Sequence, residues 1–103
     1  MNKIFKYELP IKEKIELELP KGAKIIRCED VDGKFFIWAI VDPEQSILEI
    51  RYFECYKTGQ EINTDLDHLI HIGNCKIFIM QELCLYVFEN RNDYLHKVSQ
   101  SYA

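Results

Sequence analysis

Apolar and charged residues alternate along residues 11–19 with a period close to two. Successive side chains of a strand point to opposite faces, so this pattern predicts a strand with one face in a core and the other in water. The apolar face carries Ile11, Ile15, Leu17 and Leu19, and the charged face carries Lys12, Lys14, Glu16 and Glu18. The sequence Pro20-Lys21-Gly22 then predicts a tight turn.

The longest apolar run, residues 34–42, reads Lys-Phe-Phe-Ile-Trp-Ala-Ile-Val-Asp. It is rich in β-branched and aromatic residues, and turn-forming dipeptides stand on both sides of it. Such a run predicts a strand that is buried on both faces, which would place Trp38 in the core. The dipeptide Asp32-Gly33 between two apolar segments also predicts a hairpin.

Further short apolar segments follow the same pattern, separated by turn signals such as Gly73-Asn74 and Gln81-Glu82. The predicted strands cover residues 3–9, 11–19, 23–29, 34–42, 46–56, 69–72, 76–80 and 83–88. Many short strands with turns at near-regular spacing are typical of all-β folds. We therefore expect a small antiparallel sandwich or partly open barrel of about seven strands.

Residues 1–89 are expected to form this single β domain, and residues 90–103 a C-terminal tail. In the tail, Asn92 is a residue type that caps helices. A helix would place one apolar stripe on the tail, made of Tyr94, Leu95, Val98 and Tyr102. The pattern favours a short helix that docks on the sheet or on a partner, with a frayed end as the alternative.

Length and composition indicate one folded domain, because 103 residues with 48% hydrophobic and 29% charged side chains can build a core. The formal net charge of −4 argues against nonspecific nucleic-acid binding, which needs an excess of Lys and Arg. The first residues lack a signal-peptide core, and no run reaches the length of a membrane span. We expect a cytoplasmic protein without a membrane partner.

The sequence predicts neither a metal nor a cofactor. Four widely spaced cysteines, Cys28, Cys55, Cys75 and Cys84, are expected to be reduced thiols. His68 and His71 lie near Asp65, Asp67 and Cys75, but a strand would point the two histidines to opposite faces. No serine stands in a nucleophile elbow, so we expect no enzyme; a metal-dependent or thiol enzyme, with Cys55 or Cys84 beside a histidine, is the remote alternative.

Arg51 is unusual because it lies in the middle of a predicted strand, on the face that also carries Phe53 and Cys55. One interpretation is an ion pair with a carboxylate on a neighbouring strand. The other is an anchor for an anionic ligand or a partner carboxylate. The residues proposed to contact a ligand or partner are Arg51, Tyr52, Lys57, Tyr94 and Tyr102.

Several segments together resemble an uncharacterised family of small proteins encoded mainly by bacteriophages and prophages. The resemblance rests on Ile4-Phe5-Lys6-Tyr7, Leu19 to Ile26, Trp38-Ala39-Ile40-Val41-Asp42, the region Arg51 to Gly59, and His71-Ile72-Gly73. The chain departs from the family pattern at Glu8, where proline is common, and at Lys57, which replaces a glycine. The resemblance implies a phage or mobile-element origin and an all-β fold, and it supplies no catalytic residues.

We therefore expect a small phage-encoded accessory protein that binds a host or phage protein, or itself, in the host cytoplasm. An inhibitor of an antiviral defence system such as CRISPR-Cas fits this description. The alternative is a protein that sequesters a nucleotide signal. In that case Arg51, Lys24 or Lys57 would hold phosphate, and Trp38 or Tyr52 would stack on the base.

Overall fold

The computed structural model describes residues 1–92, which form seven strands in two antiparallel sheets. The strands are β1 (Lys3–Leu9), β2 (Lys14–Pro20), β3 (Lys24–Val31), β4 (Lys34–Val41), β5 (Leu48–Lys57), β6 (Leu69–Ile79) and β7 (Gln81–Asn90). A short 3-10 turn, Leu66–His68, precedes β6. One sheet has the order β1-β4-β3 and the other β2-β5-β7-β6. The predicted all-β antiparallel sandwich is confirmed.

The predicted turns at two glycines are also confirmed. Asp32 and Gly33 have φ angles of 51° and 80°, which is the left-handed backbone that a two-residue hairpin between β3 and β4 requires. Gly22, between β2 and β3, has a φ of 84°. These local signals work because few residues other than glycine, asparagine and aspartate adopt such backbone angles at low cost.

Strand β4 corrects the expectation that residues 34–42 are buried on both faces. Its side chains alternate between the fully buried set Phe35, Ile37, Ala39 and Val41 and the half-buried set Phe36, Trp38 and Ile40. The four-stranded sheet covers only the first set, so β4 has one core face. Trp38 lies on the outer face, where the guanidinium carbon of Arg27 stands 4.1 Å from its ring centre.

Strand β6 corrects a second expectation, the turn at Gly73-Asn74. The chain continues through this dipeptide as one strand, with a bulge between His71 and Gly73. A Cβ atom on Gly73 would lie 2.2 Å from the carbonyl oxygen of Cys28. Glycine is therefore required here for the close approach of two strands rather than for a turn.

This close approach joins β3 of one sheet to β6 of the other, along a line that we call the seam. At the seam, the Lys76 amide donates a hydrogen bond of 2.7 Å to Asp30 Oδ1. The buried core between the sheets includes Leu9, Ile15, Leu19, Phe35, Ile37, Phe53 and Val87.

Two boundaries differ from the sequence expectation. Strand β2 begins at Lys14 and leaves Ile11 exposed, because the connection from β1 takes up residues 10–13. Strand β7 runs to Asn90, whose side chain is buried, so the β domain extends past residue 89. The helix expected from Tyr94, Leu95, Val98 and Tyr102 lies outside the described residues.

Candidate functional site

Arg51 lies inside the sandwich and is only 2% exposed. Its Nε and Nη2 atoms both donate to the carboxylate of Glu89 on the neighbouring strand β7, the second bond being 3.0 Å long. Its Nη1 atom donates to the carbonyl oxygen of Ala23 at 2.8 Å and to Glu49 at 3.3 Å. Arg51 therefore forms the ion pair with a carboxylate of a neighbouring strand. Because it is buried, its guanidinium does not reach a ligand at the surface.

The other proposed contact residues do not gather around Arg51. Tyr52 points to the opposite face of β5, where it is half-buried and lines a pocket of about 620 Å³. Lys57 is exposed at the end of β5, and its backbone amide donates to Gln60 Oε1 at 3.0 Å. Tyr94 and Tyr102 lie outside the described residues.

Glu54 lies at the floor of the pocket and is 4% exposed. Its carboxylate accepts hydrogen bonds from Lys14 Nζ at 2.8 Å, Thr64 Oγ1 at 2.7 Å, Asn90 Nδ2 at 2.9 Å and the Tyr56 hydroxyl. Burial by itself would raise the pKa of Glu54, but the four donors outweigh it and lower the pKa to about 2. An ionised carboxylate with this many donors joins β2, β5, β7 and the loop that follows β5, and it is poorly suited to act as a base.

This arrangement predicts a stability loss in acid. The folded-state pKa of about 2 lies below the ordinary value of 4.5, so the stabilisation is complete above pH 4.5 and fades as the pH falls towards 2. Between pH 7 and pH 2.5 we expect Glu54 to account for about 2–3 kcal/mol of the lost free energy of unfolding. Urea unfolding of the parent and of Glu54→Gln at both pH values measures this difference.

The exposed Glu44 provides the matched control. The Glu44→Gln protein should lose as much stability in acid as the parent, whereas the Glu54→Gln protein should lose less. Equal acid losses in all three proteins would show that the Glu54 carboxylate is not stabilised by its four donors.

The histidines, aspartates and cysteine that the sequence groups near residues 65–75 do not converge on one point in the structure. The His71 ring nitrogen lies 2.7 Å from Asn74 Oδ1, and His68 lies 3.9 Å from the Asp65 carboxylate. Cys75 faces the core, with its sulfur 3.8 Å from that of Cys28. Within residues 1–92 no three His, Cys, Asp or Glu side chains form a group able to hold a metal ion.

The β6–β7 hairpin exposes three consecutive large apolar side chains, Phe78, Ile79 and Met80, which we call the hairpin tip. Phe78 is 80% exposed, Ile79 is 65% exposed and Met80 is fully exposed. Phe78 and Ile79 are neighbours in one strand and point to opposite faces, so both faces of the hairpin are uncovered at this end. Met80 also has a φ of 64°, a left-handed conformation that costs a bulky residue about 1–2 kcal/mol.

Sequence reasoning missed the hairpin tip because residues 76–80 resemble a strand that packs into a core. The signal that could have found it is the absence of glycine, asparagine or aspartate at the reversal, where Met80 is followed by Gln81. A methionine in this left-handed conformation lowers the stability of the fold, which indicates that its side chain has a role other than folding.

The outer face of the three-stranded sheet carries a second aromatic group. Phe36 and Trp38 stand 6.1 Å apart, and the Lys6 ammonium lies 4.6 Å above the Phe36 ring. Arg27 occupies the face of Trp38 in the same way. Because cations already cover both rings, this surface is less available for stacking than its composition suggests.

A family model for a domain of unknown function, DUF7352, matches residues 1–97 of the chain. The chain belongs to this family. No curated protein and no solved structure matches it. All seven strands fall inside the matched range, so both the hairpin tip and the pocket below Tyr52 are parts of the DUF7352 domain. No helix in residues 1–92 is long and apolar enough to cross a membrane.

Proposed function

We propose that this DUF7352 protein acts by binding another protein, and that the hairpin tip is the principal contact. The observation that supports the proposal is the exposure of Phe78, Ile79 and Met80 at the end of a long hairpin. Aromatic residues and methionine are enriched at the centres of protein interfaces, where a few buried anchors supply most of the binding energy. The backbone pairing of β6 with β7 extends to Ile79 and Gln81, so these anchors are already ordered and lose little backbone entropy on binding.

The backbone of Met80 gives additional support. Glycine would adopt its φ of 64° without strain, yet the chain keeps a long apolar side chain there. Natural sequences tolerate such strain where the side chain is used, because selection for folding alone would favour the less strained residue.

The biological setting of the proposal rests on the resemblance to phage- and prophage-encoded proteins. In this setting the partner is a host or phage protein in the bacterial cytoplasm, and the protein inhibits an antiviral defence system such as CRISPR-Cas. Small size, a rigid β scaffold and polar clusters that serve the fold are consistent with this role. A plasmid-interference assay in cells that carry an active defence system tests it, and undiminished interference across the systems tested would contradict it.

The contact itself is tested with variants of the hairpin tip. Immobilised parent protein, Phe78→Ser and Met80→Gly are compared for the proteins they capture from bacterial lysate. A captured partner should bind either variant at least tenfold more weakly, as expected for an interface anchor. Met80→Gly is the sharper variant because it relieves backbone strain, so the loss of binding should come with equal or higher stability.

Leu66→Ser is the matched control, because Leu66 is 69% exposed but precedes the start of β6, whereas the hairpin tip is at the other end of that strand. It should capture the same partner as the parent. A partner that binds all four proteins equally would show that the contact lies elsewhere. If light scattering instead shows a parent dimer that Phe78→Ser converts to a monomer, the tip binds a second copy of the chain.

A second candidate function is binding of a small anionic ligand, which the pocket of about 620 Å³ favours. The pocket combines the aromatic ring of Tyr52 with the cations Lys12 and Lys14. Its lining also holds the carboxylates of Glu16 and Glu54, and Lys14 is already paired with Glu54, which leaves Lys12 as the cation for the ligand. Calorimetric titration with nucleoside monophosphates and cyclic dinucleotides tests this function. Binding that Lys12→Ala weakens would support it, whereas the hairpin-tip variants should leave such binding unchanged.

A further inference from the structure

Two buried cysteines meet where the sheets approach each other at the seam. The sulfur of Cys28, on β3, lies 3.8 Å from the sulfur of Cys75, on β6. Both residues are at most 2% exposed. Gly73 allows the strands to come this close, because any side chain there would collide with Cys28. The pair is therefore held together by the backbone of both sheets.

A pocket of about 550 Å³ opens onto this pair from outside. Its lining includes Cys28, Gly73, Asn74 and Lys76, so Cys28 forms part of the floor. Cys75 does not line the pocket. A molecule as small as hydrogen peroxide can therefore approach Cys28 first, while Cys75 is positioned to react second.

We propose that Cys28 and Cys75 are a peroxide-responsive thiol pair that closes into a disulfide across the seam. The roles of the two sulfurs differ. Cys28 lines the pocket and Cys75 does not, so Cys28 is the sulfur that meets the oxidant and Cys75 is the resolving thiol.

The chemistry balances with peroxide as the oxidant. The Cys28 thiolate attacks one peroxide oxygen, the O–O bond breaks, and the products are a sulfenic acid at Cys28 and water once the thiol proton is counted. The Cys75 sulfur then attacks the Cys28 sulfur and displaces the hydroxyl group, which leaves as water with the Cys75 proton. Overall, two thiols and one peroxide give one disulfide and two waters.

The disulfide would draw the sulfurs from 3.8 Å to about 2.0 Å and link two sheets that are otherwise joined by side-chain packing and a few hydrogen bonds. The bond closes a long loop of the chain, and a disulfide that closes a long loop restricts the unfolded chain more than one that closes a short loop. Oxidation should therefore raise the thermal stability of the protein. This site does not depend on the hairpin tip or on any partner.

The test uses the full chain, first reduced and then treated with a small excess of hydrogen peroxide. Thiol titration in denaturant should fall from four thiols to two, and the intact mass should fall by two hydrogens. Peptide mapping should find Cys28 linked to Cys75, and the melting temperature should rise by several degrees. Dithiothreitol should reverse all of these changes.

Substitutions separate the pair from the other cysteines. Cys28→Ser and Cys75→Ser should each abolish the cross-link, and Cys75→Ser should leave a sulfenic acid at Cys28 that dimedone captures. Cys84→Ser and Cys55→Ser are the controls and should retain the cross-link. Peptide mapping of the parent decides the matter even if a variant does not fold. Four unchanged thiols, oxidation confined to the more exposed Cys84, or a different pairing would overturn the proposal.

Discussion

Arg51→Ala is expected to lower the free energy of unfolding by about 3–5 kcal/mol. The substitution would leave the Glu89 carboxylate, which is 3% exposed, without its two bonds from the guanidinium. It would also remove the donor to the Ala23 carbonyl, which ties β5 to the start of β3. The Glu89 carboxylate would keep only its 3.4 Å contact with Arg91, and a buried charge with so little compensation is costly because water cannot solvate it there. Urea unfolding at neutral pH measures the loss.

Two further proteins show whether the uncompensated charge causes this loss. The double variant Arg51→Met with Glu89→Leu removes both charges and should recover much of the stability that either single change loses. Glu29→Gln breaks the exposed pair with Arg27 but leaves Arg27 on the Trp38 ring, and it should leave the unfolding curve close to that of the parent, because water solvates both charges. If the double variant is no more stable than Arg51→Ala, packing rather than charge explains the effect.

The sequence was most informative where structure depends on neighbouring residues. Alternation along β2, the left-handed turn at Asp32-Gly33 and the turn at Gly22 all appear in the structure as predicted. Each of these features depends on backbone sterics or on side-chain alternation within a few residues. The fold class followed because such local features repeat along the whole chain.

The errors concern features that depend on distant parts of the chain. Residues 35–41 are apolar on both faces, but whether the second face is buried depends on whether another layer covers it. Gly73 looks like a turn residue, because nothing near it in sequence reveals the contact with the Cys28 carbonyl. The same reasoning applies to Arg51 and Glu54, because each of them binds a residue of β7 that is distant in sequence, Glu89 and Asn90 respectively.

The candidate contact residues show this limit most clearly. Arg51 and Tyr52 are adjacent in sequence and were both expected to contact a ligand, yet β5 directs them to opposite faces. The sequence does not reveal the hairpin tip, because Phe78 and Ile79 are residue types that are common in cores, yet both are exposed in the structure. Periodicity shows which residues share a face and does not show which face is covered.

Phe35→Ala is expected to destabilise the protein far more than Trp38→Ala, although tryptophan is the larger side chain. Phe35 is completely buried between the sheets, and its removal should cost about 3–5 kcal/mol through lost apolar burial and an unfilled cavity. Trp38 is half-buried on the outer face, so its removal should cost about 1–2 kcal/mol, including its contact with Arg27.

Thermal and urea unfolding of the two variants measure this order directly. Trp38 is the single tryptophan of the chain, so circular dichroism is the probe that serves both variants. The emission of Trp38 in the parent gives an independent check, because a half-exposed indole emits at longer wavelength than a buried one and is quenched by iodide. A Trp38→Ala variant that loses as much stability as Phe35→Ala, together with a Trp38 protected from iodide, would show that a further layer covers the outer face of β4.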